Sequence, residues 1–308
     1  MIAVVGGYGV GMTMRVERAP SSGETVTNGS LSFGAGGKGS NQAIGIARLG
    51  HPVSLFTGIG ADSAGDEARR LWETEGVEAA AVVTAAGPTM TAFITVDATG
   101  ENRISIAPGA LASLAPGDLE GFRDRIRAAD LLVVSLEVPV AVALRALAIA
   151  REEGTRTLLN PAPAAEFAPP DWDLVDILTP NATEAVLLLG RPGTEDEPEA
   201  MADALAAATR CDIVITRGAD GSVVRDGAGT TRILAVPVAC AVDTTGAGDS
   251  FTAALATALV EGAPLREAAR FASAAGAHAV TIRHVVPALP TRDDVTTMLR
   301  GSEATARG

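Results

Sequence analysis

The stretch Asp243-Thr-Thr-Gly246-Ala247-Gly248-Asp249-Ser-Phe251 decides how this chain is read. After it, Phe251, Ala254, Leu255, Ala258 and Leu259 recur at helical spacing, so a turn of small residues runs directly into an apolar helix. Gly246, Ala247 and Gly248 can present consecutive N–H groups to an anion, with the helix dipole reinforcing them. A carboxylate is unwelcome beside a bound anion unless it takes a proton from an attacking hydroxyl while the amides hold the developing charge. An ordinary Asp helix cap accounts for the same residues without chemistry. The same design stands upstream at Gly34-Ala-Gly-Gly37-Lys38-Gly39-Ser-Asn41, where a glycine loop feeds a helix reaching about Leu49. Glycine loops of this kind let a ligand approach the backbone and lie at a helix N-terminus.

Working outward, short apolar runs alternate with helical stretches. Strands are expected at 2–6, 54–60, 130–135, 156–160, 176–179 and 212–216. Helices are expected at 62–76 (capped by Asp62), 140–153, 195–210, 250–261 and 265–281. This rhythm implies an α/β fold with a mainly parallel central sheet and helices on both faces. Residues 12–33 and 91–107 break the rhythm. The first contains the turn Pro20-Ser-Ser-Gly23; the second reads as a hairpin of 91–97 and 103–107 around Ala98–Glu101. They predict a small antiparallel β-lid formed by about 12–35 and 90–108 on a single unit spanning 1–308, with a fraying tail after Gly301.

Three further features carry chemistry. Lys38 is the only lysine in the chain, which suggests that a compact point charge is needed in its loop; an exposed turn with an incidental lysine is the plain alternative. Thr179-Pro-Asn181-Ala-Thr-Glu184 follows a strand, at the sheet end where α/β folds bind ligands. Asn181 and Glu184 could hold magnesium through water, or form a capping box. Thr216-Arg217-Gly218-Ala219-Asp220-Gly221 reads either as a nucleotide-phosphate loop or as a hairpin turn. The opening Gly6-Gly-Tyr-Gly-Val-Gly11 lacks the spacing and the following helix of a dinucleotide fingerprint.

Composition excludes other classes. The net charge of −13 opposes nucleic-acid and anionic-membrane binding. Cys211 and Cys240 are too few for a disulfide framework and read as free thiols. His51, His278 and His284 lack zinc spacing. Met1–Gly7 reads as a first strand, not a signal peptide, and no apolar run is long enough for a bilayer, so a cytoplasmic protein is expected.

Taken together and in this order, over about residues 1–298, the segments resemble the ribokinase-like (pfkB-type) sugar kinases. The two glycine segments look like that family's two signatures. Pro20-Ser-Ser-Gly-Glu-Thr-Val26, Asn160-Pro-Ala-Pro-Ala164 and the Thr179–Glu184 stretch are similar to ribokinases in particular. The resemblance implies ATP-dependent phosphoryl transfer to a sugar hydroxyl and a lid that mediates homodimers. It implies Asp249 as base and Gly246, Ala247 and Gly248 as anion hole. It places Asn181, Glu184, Thr216, Arg217, Gly218, Ala219, Asp220, Gly221, Gly248 and Ser273 with ATP and Mg²⁺. Gly9, Gly11, Gly37, Lys38, Gly39, Asn41, Glu137 and Asp249 would meet the acceptor. Asp243, Thr245, Ala279, Ile282, His284 and Ala288 match a K⁺ site built mostly of carbonyls. Two positions depart from the family. Ribokinases carry an Asn-x-Asp pair that binds sugar hydroxyls where this chain has Gly9 and Gly11, which leaves room for a larger acceptor or, with Tyr8, Met12 and Met14, an apolar pocket for a nucleoside. A glycine expected near the cation site reads His284. A nucleoside kinase and a non-catalytic sugar- or nucleotide-binding regulator are the alternatives.

Overall fold

Ile2–Val5 is buried along its whole length and lies inside an eight-stranded sheet. The computed structural model describes all residues except 100–101, 166, 191–196 and 308. Six strands run parallel, in the order Asp212–Thr216, Ile177–Leu178, Arg156–Asn160, Leu131–Ser135, Ile2–Val5 and Val53–Phe56. Ser222–Asp226 and Gly229–Ile233 extend one edge antiparallel. Successive residues alternate between two cores. Ile2, Val4, Leu131 and Val133 pack against helices Lys38–Arg48, Ala247–Val260 and Leu265–Ala279. Ala3, Val5, Leu132 and Val134 face helices Val140–Glu153 and Pro198–Thr209. Apolar residues on both faces are what a doubly covered parallel sheet requires.

A second sheet has four strands in the order Ser30–Gly36, Gly9–Arg15, Met90–Val96 and Asn102–Ala107. Its outer pairs are antiparallel, as expected, but Gly9–Arg15 and Met90–Val96 run parallel and join the halves. The first strand begins at Gly9, three residues before the expected 12, because the chain passes from the central sheet with only Gly6–Tyr8 between. The expected strand 54–60 divides into Val53–Phe56 and Gly58–Ile59, the latter pairing with Val83–Thr84. Glu195 of the expected helix 195–210, and Gly100 and Glu101 of the expected turn, lie outside the described residues. Helix Arg292–Arg307 runs through the tail after Gly301.

Where the two sheets meet, backbone packs on backbone. A Cβ on Gly39 would lie 2.5 Å from the carbonyl carbon of Gly6, and one on Gly6 would lie 2.7 Å from the Cα of Gly39. Gly37, at φ +91°, stands equally close to Tyr8. These glycines seat the N-terminus of helix Lys38–Arg48 directly on the end of the first strand, and Ser40 donates its N–H to the Gly7 carbonyl at 3.0 Å. Gly39→Ala forces backbone apart in a buried junction. It should lower unfolding free energy by about 2–4 kcal/mol, read from denaturant midpoints.

Candidate functional site

Helix Ala247–Val260 starts three residues earlier than its apolar spacing predicts, because Gly246, at φ +82°, already turns the chain into it. Asp249 therefore sits in the first helical turn and is 6% exposed. Its carboxylate is held from the facing helix: Asn41 Nδ2 donates to Oδ2 at 2.7 Å and Gln42 Nε2 to Oδ1 at 3.3 Å. Gln42 also donates to Asn160 Oδ1 at 3.1 Å, and Asn160 Nδ2 donates to the Thr179 carbonyl at 2.9 Å. This chain ties the two glycine segments to the carboxyl ends of two parallel strands. Asn41 was expected at the acceptor and holds Asp249. Gln42 and Asn160 were not expected to act at all. The only signal for Gln42 was its place beside Asn41 in a first helical turn.

The helix start has the makings of an anion site. Gly246 N–H, Gly248 N–H and Asp249 N–H have no backbone acceptor among the described residues, while Ala247 N–H is turned to the Thr244 carbonyl at 3.3 Å. A Cβ on Gly248 would meet nothing within 4 Å, whereas one on Gly246 would strike Val285 at 2.6 Å. On the side a side chain would occupy, the turn is thus open at Gly248 and filled by Val285 at Gly246.

Lys38 lies half-buried across from them. Its backbone N–H donates to Glu137 Oε2 at 2.6 Å. The charge of Asp249 foremost raises the Lys38 ammonium, burial works against it, and Glu137 and Glu184 add to the rise. Burial pushes the Glu137 carboxyl up to about 7, although Lys38 draws it down. Burial likewise raises Glu184, against the pull of the Asn181 amide. One lysine is therefore shared by three carboxylates, and the pocket is short of positive charge.

Asn181 and Glu184 form the capping box of helix Ala182–Leu189: each side chain accepts the other's backbone N–H at 2.8 Å. Thr216 bridges to Asn181 in parallel pairing. The Thr216–Gly221 segment is the hairpin turn into Ser222–Asp226: Gly218, Ala219 and Asp220 form a single 3-10 turn capped by Arg217, and the Arg217 N–H donates to the Gly221 carbonyl at 2.8 Å to close the hairpin. It still stands at the carboxyl end of the sheet. Ser273, on helix Leu265–Ala279, buries a hydroxyl without a partner, the kind of orphan a ligand would satisfy.

Asp243 joins the proposed cation loops. Its Oδ1 accepts Thr245 N–H at 3.0 Å and its Oδ2 accepts His284 N–H at 3.1 Å. Ile282 N–H reaches the Ala279 carbonyl at 3.2 Å, and Ala288 ends the short helix that His284 caps. His284 adopts φ +67°, ψ 155°, a region that glycine occupies freely and other residues only under strain. Among the described residues no three His, Cys, Asp or Glu side chains converge on one metal position.

Two expectations for the acceptor wall change. Tyr8 is 1% exposed and packs edge-on against Trp72 at 5.2 Å, so it lines no pocket. Gly9 leaves no vacant room either, since Met90 fills it: a Cβ there would lie 2.5 Å from Met90 Cε. Only Gly11 retains ordinary space.

A carboxylate set against helix-start amides at the carboxyl end of a parallel sheet defines the class: an α/β phosphotransferase. Residues 3–292 match the model of the pfkB family of carbohydrate kinases, and the chain belongs to that family. It is 34% identical to the ribokinase of Haemophilus influenzae, over 95% of this chain and 96% of that one. The ribokinase structure from Thermotoga maritima superposes with a TM-score of 0.88 at 30% identity, covering 97% of this chain and 99% of the other. That of Arabidopsis thaliana ribokinase complexed with ribose and ATP gives 0.85 at 29%, covering 97% and 98%. The chain is an ATP-dependent sugar kinase, a phosphotransferase with an alcohol group as acceptor.

The Glu137 shift makes a test of its own. Its folded value of about 7 lies above the ordinary carboxylate value of 4.5, so the folded state binds the proton more tightly than the unfolded state. Its stabilising contribution is complete below the unfolded value and is lost as pH rises through 7. The unliganded protein should lose up to about 3 kcal/mol between those limits that Glu137→Gln retains, measured as the difference between the two unfolding curves.

Proposed function

We propose that the enzyme phosphorylates a primary hydroxyl of a pentose-sized sugar, with Asp249 as general base. Support comes from the double amide clamp of Asn41 and Gln42 on Asp249, which aims one buried carboxylate at the space beside the helix amides. Asp249 takes the hydroxyl proton while the oxygen attacks the γ-phosphorus of ATP. The bond from that phosphorus to the β–γ bridging oxygen breaks, and ADP leaves. The N–H groups of Gly248 and Asp249, with Gly246, face the charge that develops on the transferring group. Ala247 serves by its small size, its amide being engaged with Thr244. Lys38 supplies positive charge in the same pocket, and Gly37 and Gly39 seat its loop against Gly6–Tyr8 so that it stands beside the acceptor.

Nucleotide contacts fall to Ser273, Gly248 and the residues of the Thr216–Gly221 turn beside Asn181. Mg²⁺ would be held by the nucleotide phosphates and, through water, by Glu184; among the described residues no cluster of three metal-binding side chains forms a protein-only cage. When bound, it would neutralise charge on the β- and γ-oxygens. K⁺ suits the loops that Asp243 draws together with Thr245, Ala279, Ile282, His284 and Ala288, through carbonyl oxygens. Asp249→Ala should lower kcat by several orders of magnitude and leave ATP affinity nearly unchanged. Coupled ADP-release kinetics together with calorimetric ATP binding measure both, and near-normal turnover would exclude the assignment.

A homodimer is proposed on a second observation. Phe33, Met12 and Phe93 are direct cross-strand partners, with Met14 and Leu31 the next pair on the same face. Phe33 is 62% and Phe93 56% exposed. An apolar sheet face of this extent is suited to cover by a second copy of the same lid. The charge of −13 argues against nucleic acid or an anionic membrane as partner. No helix among the described residues is long and apolar enough to cross a bilayer. Cys211 and Cys240, both free, fit a reducing cytoplasmic setting. Phe33→Glu with Phe93→Glu should yield a monomer by light scattering where the parent elutes as a dimer.

A further inference from the structure

Gly7, Gly9 and Gly11 lie two residues apart, and added Cβ atoms show what each would face. The first would meet Glu137 Oε2 at 2.5 Å, the second Met90 Cε at 2.5 Å and the Met90 carbonyl oxygen at 2.8 Å. The third would have Gly34 O at 3.7 Å and Ile94 Cδ1 at 3.8 Å. Strand register puts these groups on one side of the second sheet. Gly9 pairs with Met90 and Gly36, Gly11 with Ala92 and Gly34, and Thr13 with Ile94. Ala92 pairs onward with Ile106, and Ile94 with Ile104. Directly paired residues share a face. Around Gly9 and Gly11 that face therefore offers a thioether, methyl groups and bare backbone; its first side-chain hydroxyls come two residues farther out, at the paired Thr13 and Ser32. Two residues before its Gly9 end, an added Cβ on Gly7 would meet Glu137, and Glu137 accepts the Lys38 N–H, which brings this face next to the residues Lys38, Asn41 and Asp249.

Met90 also occupies this face in a way that no polar side chain at position 9 could share. It is 7% exposed and belongs to the same core as Leu136 and Val138, which flank Glu137. A hydroxyl pressed against it gives up water and finds no partner, and an unpaired polar group is penalised on burial. A C–H at the same place loses nothing.

We propose that Met90 sets acceptor specificity, so that the enzyme prefers a deoxy sugar, carrying C–H where its edge meets Gly9, Met90, Gly11 and Ile94, over the fully hydroxylated parent. This rests on the reading of the Asp249 pocket as the acceptor site. Steady-state kinetics with ribose, 2-deoxyribose and 3-deoxyribose test it. An apolar wall discriminates only modestly against an added hydroxyl, so one deoxy sugar should exceed ribose in kcat/KM by about ten- to a hundredfold. Met90→Gln places an amide where the thioether stood and should move that ratio toward ribose by about tenfold. Met90→Leu keeps the wall apolar and should preserve the ratio. Thermal melts establish that both variants fold, and the wild-type ratio stands as a test if Met90→Gln does not. Ribose used as well as, or better than, both deoxy sugars overturns the Met90 assignment and leaves the kinase reading intact. So does a folded Met90→Gln enzyme with an unchanged ratio. Turnover of none of the three sugars overturns the acceptor reading itself, and this proposal with it.

Discussion

Everything at the site hangs on a place where two backbones touch. Gly6 at the end of the first strand and Gly39 at the start of a helix approach so closely that neither has room for a Cβ. This contact sets the height of the Lys38–Arg48 helix above the central sheet. It thereby sets the position of Asn41 and Gln42, which reach across to Asp249. It also determines how the chain leaves the sheet through Gly7 and Tyr8 to begin the second one. Packing this tight is rigid, since buried backbone cannot relax around an inserted atom as a long side chain can.

From that junction the electrostatics follow. Asp249, Glu137 and Glu184 all act on Lys38, and burial raises both glutamates. The carboxylate proposed as base, Asp249, is the one fixed by two side-chain amides. Glu137 is tied instead to the backbone N–H of Lys38, which makes it a brace for the loop.

The second sheet combines two surfaces with different chemistry. One face carries Phe33, Met12 and Phe93; the other carries glycines, Met90 and isoleucines. The strand period of two separates them, so consecutive residues of a single strand serve different purposes. Met12 and Met14, considered as pocket residues when the chain is read in one dimension, fall on the Phe33 face for this reason.

Periodicity and glycine placement in the sequence were enough to determine the parallel sheet, the helices on both faces and the two glycine loops. Those signals are local: a strand alternates, a helix repeats, and a backbone that must turn or touch needs glycine. The Asp249 segment was legible because its small residues, its carboxylate and the helix behind it are contiguous. Tertiary structure alone decided what each of these touches. Gln42 and Asn160 lie 118 positions apart and meet only because the first helix is seated on the sheet. The parallel joint between Gly9–Arg15 and Met90–Val96 needs strands some eighty residues distant, beyond the reach of any hairpin signal. Gly9 read as vacant space because a missing side chain says nothing about its neighbour. Met90 fills that space from another strand, and such pairing depends on register, which no single segment encodes.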